Sequence, residues 1–243
     1  MSTTRALRLP AALTGSVAML TAPESDTLRL LERYYRVRRE GRPGNGRYFT
    51  GAFFDEWNDQ PIPQRASKFT AEDIVAVSYL SVDIPARAIV ELLEFRAPER
   101  NECLARSAAE CAGYATLKDV PLELTDPEIQ GALPPDERWA PLQLERMLRA
   151  IRGIGPVSAS KLIAHKLPHV YPVYDREVAA LALPSRHYLH PLHRTLRETD
   201  LEEKLAALRE AATIPASVPL LRVFDVVAWM EATHAASGTS PKV

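Results

Sequence analysis

The spacing of apolar and polar residues predicts a protein built mostly from amphipathic α-helices. Apolar residues recur every three or four positions over 24–40, 100–112 and 138–151, which is the period of one helix face. The remaining predicted helices cover 51–57, 74–93 with a break near Pro85, 156–166, 175–182, 200–212 and 219–232. Thr70 followed by Asp73 is a capping-type start for the helix that contains Ile74. Few stretches alternate with the period of a β-strand, so the sequence predicts an all-α fold.

Two closely spaced glycines, Gly153 and Gly155, separate the helices predicted over 138–151 and 156–166. Glycine adopts positive φ angles and has no side-chain bulk, which allows a tight turn. Ile154 between them is expected to fill the space between the two helices. The outward-facing N–H groups of the turn and of the next helix start can bind a phosphate without a charged side chain. The pattern predicts a sequence-independent DNA contact, with an ordinary helix connection as the alternative.

Charge is unevenly distributed along the chain, although the net charge is only −1. Residues 99–137 hold nine acidic and three basic residues, whereas residues 138–176 hold seven basic and two acidic residues. A local basic segment suits phosphate binding, because neutralised phosphates release counterions. The residues predicted to contact DNA are Gly153, Ile154, Gly155, Val157, Ser158 and Lys161, with Lys166 as a further candidate. A strip comprising Arg36, Arg38, Arg39, Arg42 and Arg47 is either a second DNA contact or a solvated helix face.

The segment 148–162 resembles the helix-hairpin-helix (HhH-GPD) superfamily of DNA glycosylases. It carries that family's pattern of a hydrophobic residue, any residue, glycine, a hydrophobic residue and glycine, here ending in Gly153-Ile154-Gly155. In the family a catalytic aspartate follows about 22 residues after the first glycine, which here is Asp175. Val178, three residues later, also fits the pattern. The resemblance is specific over residues 138–180 and elsewhere rests on helical content and length.

The resemblance implies a two-lobed helical fold with the aspartate at the cleft between the lobes. One lobe would comprise residues 70–168 and contain the hairpin. Residues 24–69 and 169–243 would together form the second lobe. Residues 1–23 are predicted to be a poorly ordered or strand-like leader, because Pro10 and polar residues interrupt the weak likeness to a secretory signal.

The resemblance also implies a chemistry. Glycosylases flip the target base out of the stack, and Asp175 would stabilise positive charge on the sugar and activate water. Val157 stands where bifunctional members have the lysine that attacks the sugar, so the resemblance implies a monofunctional enzyme. Arg176 and Glu177 depart from the residues that often follow the aspartate. The alternative role for Asp175 is that of a helix N-cap.

Candidates for stacking the flipped base are aromatic residues, of which we select Tyr174, Tyr35 and Trp57. No cofactor is expected, because Cys103 and Cys111 cannot supply the four thiolates of an iron–sulfur cluster. The resemblance leaves room for a structural monovalent cation at the hairpin. No metal site is expected at the histidines, because Pro191 would interrupt a helix through them; they are His187, His190 and His193.

The sequence thus favours a cytoplasmic monomer that binds double-stranded DNA and removes a damaged or modified base. No membrane contact is expected, because no apolar run reaches 18 residues. A non-catalytic DNA-binding protein that uses only the hairpin is the main alternative. A helical scaffold that binds no DNA is a third possibility. The pattern does not identify the base.

Overall fold

The computed structural model describes residues 7–23, 25–40, 48–55, 57, 67–182 and 188–237. Over these residues the fold is all-α, as predicted, and contains no β-strand. The described α-helices are α1 (Val17–Leu20), α2 (Asp26–Glu40), α3 (Ala71–Ser78), α4 (Ala86–Leu93), α5 (Ala97–Cys111), α6 (Leu122–Thr125), α7 (Pro127–Ala132), α8 (Ala140–Arg149), α9 (Pro156–Lys166), α10 (Arg176–Ala182), α11 (Leu189–Glu198), α12 (Leu201–Ala211) and α13 (Leu220–Ser237). Short 3₁₀ turns occur at Ala11–Leu13, Thr50–Phe53 and Leu117–Asp119.

The chain divides into two compact units, one made of residues 1–52 and 174–243 and the other of residues 53–173. The first unit therefore comes from both ends of the chain, and the second is continuous in sequence. The corresponding boundaries expected from the sequence are at residues 70 and 168. The glycine hairpin belongs to the second unit, whereas Asp175 belongs to the first.

The start of the chain corrects one expectation for the first unit. Residues 7–23, predicted as part of a poorly ordered or strand-like leader, instead hold the 3₁₀ turn Ala11–Leu13 and α1. The Glu231 carboxylate accepts hydrogen bonds from the backbone N–H groups of Ala11 and Ala12 at 2.9 and 3.0 Å. Leu13 is fully buried. Apolar burial and these hydrogen bonds therefore anchor this segment to α13.

The core of the first unit forms around α13, which contacts α2, α10 and α12. Its middle residues, including Val223, Phe224 and Val227, are fully buried, as expected of a helix that is apolar on most sides. α2 is amphipathic and turns Leu28 and Leu31 inward. Its opposite face carries arginines, which keeps that face in water.

The core of the second unit forms where α8 packs on α5 and α9 packs on α8 and α3. Leu104 of α5, Leu144 of α8 and Leu162 of α9 are fully buried. Every residue from Ser158 to Lys166 is buried, so α9 lies in the interior of its unit. The two helices that flank the glycine hairpin are therefore held by the main core of this unit.

A buried charged cluster links the start of α3 to the end of α9. The Asp73 carboxylate lies 2.8 Å from His165 Nδ1 and 2.7 Å from Lys166 Nζ. It also accepts the Thr70 backbone N–H at 2.7 Å, which confirms the predicted helix start. Burial raises the pKa of Asp73, but the hydrogen bond with His165 and the charge of Lys166 outweigh burial and hold this pKa below its usual value.

The histidine-rich segment provides a second correction. Pro191 was expected to interrupt any helix there, yet it lies within α11 as the third residue of that helix. The first N–H groups of a helix have no intrahelical acceptor. A proline in the first turn therefore costs no helical hydrogen bond, and α11 continues to Glu198.

Candidate functional site

The glycine hairpin joins α8 to α9 within the second unit. Ile154 is 3% exposed, and its N–H donates to the Ile151 carbonyl at 3.0 Å. Ile151 is also buried. The hairpin is thus closed by one backbone hydrogen bond and by two apolar side chains. Its glycines remain exposed.

The two hairpin glycines are constrained in different ways. Gly153 has φ +104°, and a Cβ at this position would lie 3.2 Å from Pro85 Cγ. A larger residue would therefore be strained in backbone conformation and crowded against α4. Gly155 has φ −91°, and a Cβ there would meet no atom within 4 Å. Gly155 therefore faces open space, where an incoming ligand could approach the backbone.

α9 begins at Pro156 with features that leave its first turn open to an anion. Gly155 at the N-cap provides no side-chain cap, and the first turn of Pro156–Lys166 contains no acidic residue. The backbone N–H groups of Val157 and Ser158 belong to this turn. The Val157 side chain is half-buried and Ser158 is buried, so only their backbone groups suit the predicted contact. The positive end of the helix dipole adds to these donors.

Arginines that precede this turn in the chain are exposed, whereas the predicted lysines are buried. Arg152 is exposed beside the hairpin, and Arg146 and Arg149 are exposed on α8. Lys161 is only 3% exposed, and its Nζ donates to the Leu80 carbonyl at 3.1 Å. Lys166 is buried in the pair with Asp73. We therefore define the candidate phosphate surface by the backbone N–H groups of Val157 and Ser158 and by Arg152, and we omit both lysines from it.

Asp175 stands at the start of α10 in the first unit and is half-buried. Its Oδ1 accepts the Glu177 backbone N–H at 3.0 Å, and its carbonyl accepts the Ala179 N–H at 2.8 Å. This is the geometry of a helix N-cap, which the sequence analysis gave as the alternative role. The cap holds the carboxylate in one orientation.

The three aromatic candidates for the base pocket have different environments. Tyr174 is half-buried and contacts Tyr188 edge to face with ring centroids 6.1 Å apart. Tyr35 is buried in the core of the first unit against Tyr34. Trp57 belongs to the second unit and contacts Tyr79 at 5.2 Å. Of the three, Tyr174 combines partial exposure with a position next to Asp175 in the chain.

Sequence reasoning missed Tyr188. Its hydroxyl is buried and has no hydrogen-bond partner among the described residues. Burial, followed by the charges of Asp225 and Asp175, holds the pKa of Tyr188 well above its usual value. The hydroxyl therefore stays protonated and remains a donor. No sequence signal brings Tyr188 near Asp175 and Asp225, because their proximity depends on the fold.

The histidines and cysteines were considered above as potential ligands. His190 and His193 are buried on α11, while His187 lies outside the described residues, as do Gly41–Gly46, Arg42 and Arg47. Within the described ranges, no group of three histidine, cysteine, aspartate or glutamate residues is placed to hold a metal ion. Cys103 and Cys111 are free thiols. Burial and the nearby Glu110 raise the pKa of Cys111 to about 12, so this thiol is not a ready nucleophile.

Comparison with known proteins gives one match. A model described as "Family of unknown function (DUF6308)" matches residues 27–232. No curated protein and no solved structure matches the chain. None of the described helices has the length and apolar character needed to cross a bilayer.

Proposed function

We propose that this chain, which belongs to the family of unknown function DUF6308, binds double-stranded DNA through its glycine hairpin and removes a damaged or modified base with the help of Asp175. The observation that carries the proposal is the hairpin itself. It has an exposed turn, an uncapped start of α9 and exposed arginines beside it. Asp175 then follows at the spacing that HhH-GPD glycosylases use for their catalytic aspartate.

The hairpin would bind the DNA backbone rather than the bases. Because Gly155 has no side chain and faces open space, a phosphate oxygen can approach the N–H groups of Val157 and Ser158. Arg152 would add a charge-assisted contact. Such contacts position a protein on DNA without reading its sequence, which suits an enzyme that searches for rare bases.

Asp175 would act on the sugar of the flipped nucleotide. Hydrolysis of the N-glycosidic bond builds positive charge on the deoxyribose, and a carboxylate held in a fixed orientation stabilises that charge. The same group can orient or deprotonate the attacking water. The cap at α10 supports this role because it fixes the carboxylate before substrate binds. Tyr174 is our candidate for stacking on the extruded base.

One observation favours a second candidate function. The capping bond from Glu177 N–H to Asp175 Oδ1 by itself explains an aspartate at the start of α10. The protein would then be a non-catalytic DNA-binding protein that uses only the hairpin. The two candidates agree on DNA binding and differ only in the role of Asp175.

Base release by wild type and Asp175→Asn distinguishes the candidates. Each duplex of a panel carries one alkylated, deaminated, oxidised or hypermodified base, and alkali cleaves any abasic site formed. Asparagine keeps the capping oxygen but removes the charge, so we expect release to fall at least about a hundredfold while the fold is retained. Equal release by the variant would exclude the catalytic role. No release from any duplex by wild type would favour the non-catalytic candidate.

Asp126→Asn is the matched control for this experiment. Asp126 caps α7 through backbone N–H groups of Glu128 and Ile129 at 2.8 and 3.2 Å. The control therefore removes one carboxylate charge from a helix cap in the same way. It should leave base release unchanged, because we assign Asp126 no part in the chemistry.

DNA binding by the hairpin is tested separately with Gly155→Val. The backbone at Gly155 is extended and a Cβ there meets nothing, so valine should be tolerated while its methyl groups block the approach of a phosphate. We expect duplex affinity to fall about tenfold. Gly113→Val is the control, because a Cβ at Gly113 also meets nothing within 4 Å. Equal duplex affinity for both variants would contradict the proposed contact.

A further inference from the structure

One face of α2, in the first unit, carries arginines that the proposed function does not use. Arg29, Arg33 and Arg36 are exposed and are spaced four and three residues apart, so they lie on one side of the helix. Leu28 and Leu31 point to the core. The exposed side therefore carries three arginines, with the exposed Asp26 at the start of the helix. We call these three arginines the arginine face.

The stretch of sequence that contains the arginine face is rich in arginine. Residues 29–47 contain seven arginines, no lysine and only two acidic residues. Solvated helix surfaces commonly mix both signs of charge. The Arg29 contact to Asp26 measures 3.5 Å between side chains that are both largely exposed, so it neutralises little. Three exposed arginines suit binding of phosphate, because each guanidinium group donates in a planar fork.

Aromatic side chains lie directly beside these charges. The Arg33 guanidinium lies 5.8 Å from the centroid of the Phe49 ring. Phe49 stacks on Tyr34 with centroids 5.2 Å apart and meets Trp229 edge to face at 5.9 Å. Arg33 is therefore partly held in place before any ligand arrives, which lowers the entropic cost of binding.

Hydrogen bonds from Arg222 hold the backbone that follows Tyr48 in place. Arg222 donates to the Tyr34 hydroxyl at 2.6 Å and to the Gly51 carbonyl at 3.1 Å. These bonds tie the chain just after Phe49 to α2 and α13. Tyr48 is 46% exposed and directly precedes Phe49, whose ring lies against the Arg33 guanidinium of α2. An exposed ring on a fixed backbone is a surface on which a base can stack.

We propose that the arginine face and Tyr48 bind single-stranded DNA. The charges alone would serve a duplex equally well, because both carry phosphates. The exposed Tyr48 ring decides between them, since the bases of a duplex are already stacked on each other and only unpaired bases are open to an aromatic side chain. The inference goes beyond the hairpin contact and does not rest on it, because the two surfaces belong to different units.

Fluorescence anisotropy with a labelled oligothymidylate of about 12 nucleotides, a length within the usual range of single-strand sites, tests the proposal on the full chain. We expect Tyr48→Ala to weaken binding about tenfold through loss of base stacking. Arg33→Gln should weaken binding about fivefold and reduce the slope of log affinity against log salt by about 0.7, the value for one lost phosphate contact.

Two matched control variants test whether the losses of affinity are specific to Arg33 and Tyr48. Arg194→Gln removes one arginine from α11, where it pairs with Glu198 at 2.8 Å. Phe95→Ala removes a ring that is 66% exposed in the second unit. Both should bind the oligothymidylate like wild type. Circular dichroism melting establishes that each variant is folded, which we expect because all four side chains lie at the surface.

Three outcomes would be decisive. Wild-type affinity in both Tyr48→Ala and Arg33→Gln would overturn the proposal. Loss of binding in Arg33→Gln alone, with a duplex competing as well as the single strand, would assign the face to duplex phosphates and overturn the single-strand assignment. Loss of oligothymidylate binding in both Tyr48→Ala and Arg33→Gln would support the proposed single-strand site. If Gly155→Val then bound duplex DNA like wild type, only the proposed DNA contact of the hairpin would be contradicted.

Discussion

Residues 138–176 and residues 29–47 each hold seven basic and two acidic residues. In the first segment, Lys161 and Lys166 are buried and hydrogen-bonded inside their unit. In the second, the arginines of the arginine face project into water. Two of the seven basic residues of the first segment therefore stabilise the interior of their unit. Its exposed Arg146, Arg149 and Arg152 remain available to a ligand, as do the three arginines of the arginine face.

The difference follows from the helices that carry the charges. α9 packs on both α8 and α3, and every residue of it from Ser158 to Lys166 is buried. A lysine there must place its long apolar stem in the core, and its ammonium group must find a hydrogen-bond or ion-pair partner within the interior. α2 contacts other helices through one side, which leaves the opposite side for guanidinium groups. A charge count from sequence thus indicates a ligand surface only after burial is known.

The largest loss in the free energy of unfolding is expected from Lys166→Met, which tests the contrast between buried and exposed charges. Loss of Lys166 leaves the buried Asp73 carboxylate with its contacts to His165 and Thr70 but without the lysine charge. Removing one partner of a buried ion pair costs about 3–5 kcal/mol. Urea denaturation should therefore give a much lower free energy of unfolding than wild type. If the loss were under about 1 kcal/mol, the pair would behave like a surface contact and the contrast with α2 would fail.

Acid should weaken the same cluster. The pKa of Asp73 is lowered in the folded state. The charged carboxylate therefore contributes its full stability at pH values above the pKa of an aspartate in the unfolded chain, which is about 3.9. That contribution is lost as the pH falls through the lower folded value. The stability difference between wild type and Asp73→Asn, followed by denaturation between neutral and strongly acidic pH, should shrink over this range. A constant difference would contradict the assignment.

Lys161→Met should have an intermediate effect. The variant keeps the apolar stem but loses the hydrogen bond from Nζ to the buried Leu80 carbonyl. We expect a loss of about 1–3 kcal/mol in the free energy of unfolding. Duplex affinity at fixed salt should be unchanged once the variant is folded. A large loss of duplex affinity would return Lys161 to the phosphate surface.

The smallest effect on stability is expected at the exposed arginines. Arg33→Gln and Arg152→Gln should each change the free energy of unfolding by less than about 0.5 kcal/mol. Their effects should appear instead in nucleic-acid affinity and its salt dependence. A stability loss as large as that of Lys161→Met would show that the exposed and buried groups have similar roles.

Most of the helical fold follows from local sequence signals. The helix predicted over 138–151 is Ala140–Arg149, and the one predicted over 156–166 is Pro156–Lys166. Apolar spacing, glycine and proline determine these bounds within a few residues of the chain. The same local rule failed at α11, because it treated Pro191 as a break rather than as a first-turn residue.

The environment of the candidate site was less predictable. The Lys161 bond to Leu80 spans 81 residues of sequence, and the contact of His165 with Asp73 spans 92. No periodicity connects positions so far apart, so their burial depends on how α9 packs against α3. The hairpin glycines, by contrast, could be located from sequence, because Gly153 and Gly155 lie within three consecutive residues and the turn they form is a local feature. Its binding of DNA and the role of Asp175 stay predictions.

The division of the chain into a continuous unit and a unit made from both ends has a consequence for folding during synthesis. Residues 53–173 can complete their own core as soon as they leave the ribosome, because all of their partners within that unit have been made. The first 52 residues must wait for residues 174–243, on the order of several seconds of further elongation. In that interval Leu13 and Leu28 lack α13, their partner in the core. We therefore expect a released chain truncated after residue 173 to be protease-resistant in the second unit and protease-sensitive at its N-terminus.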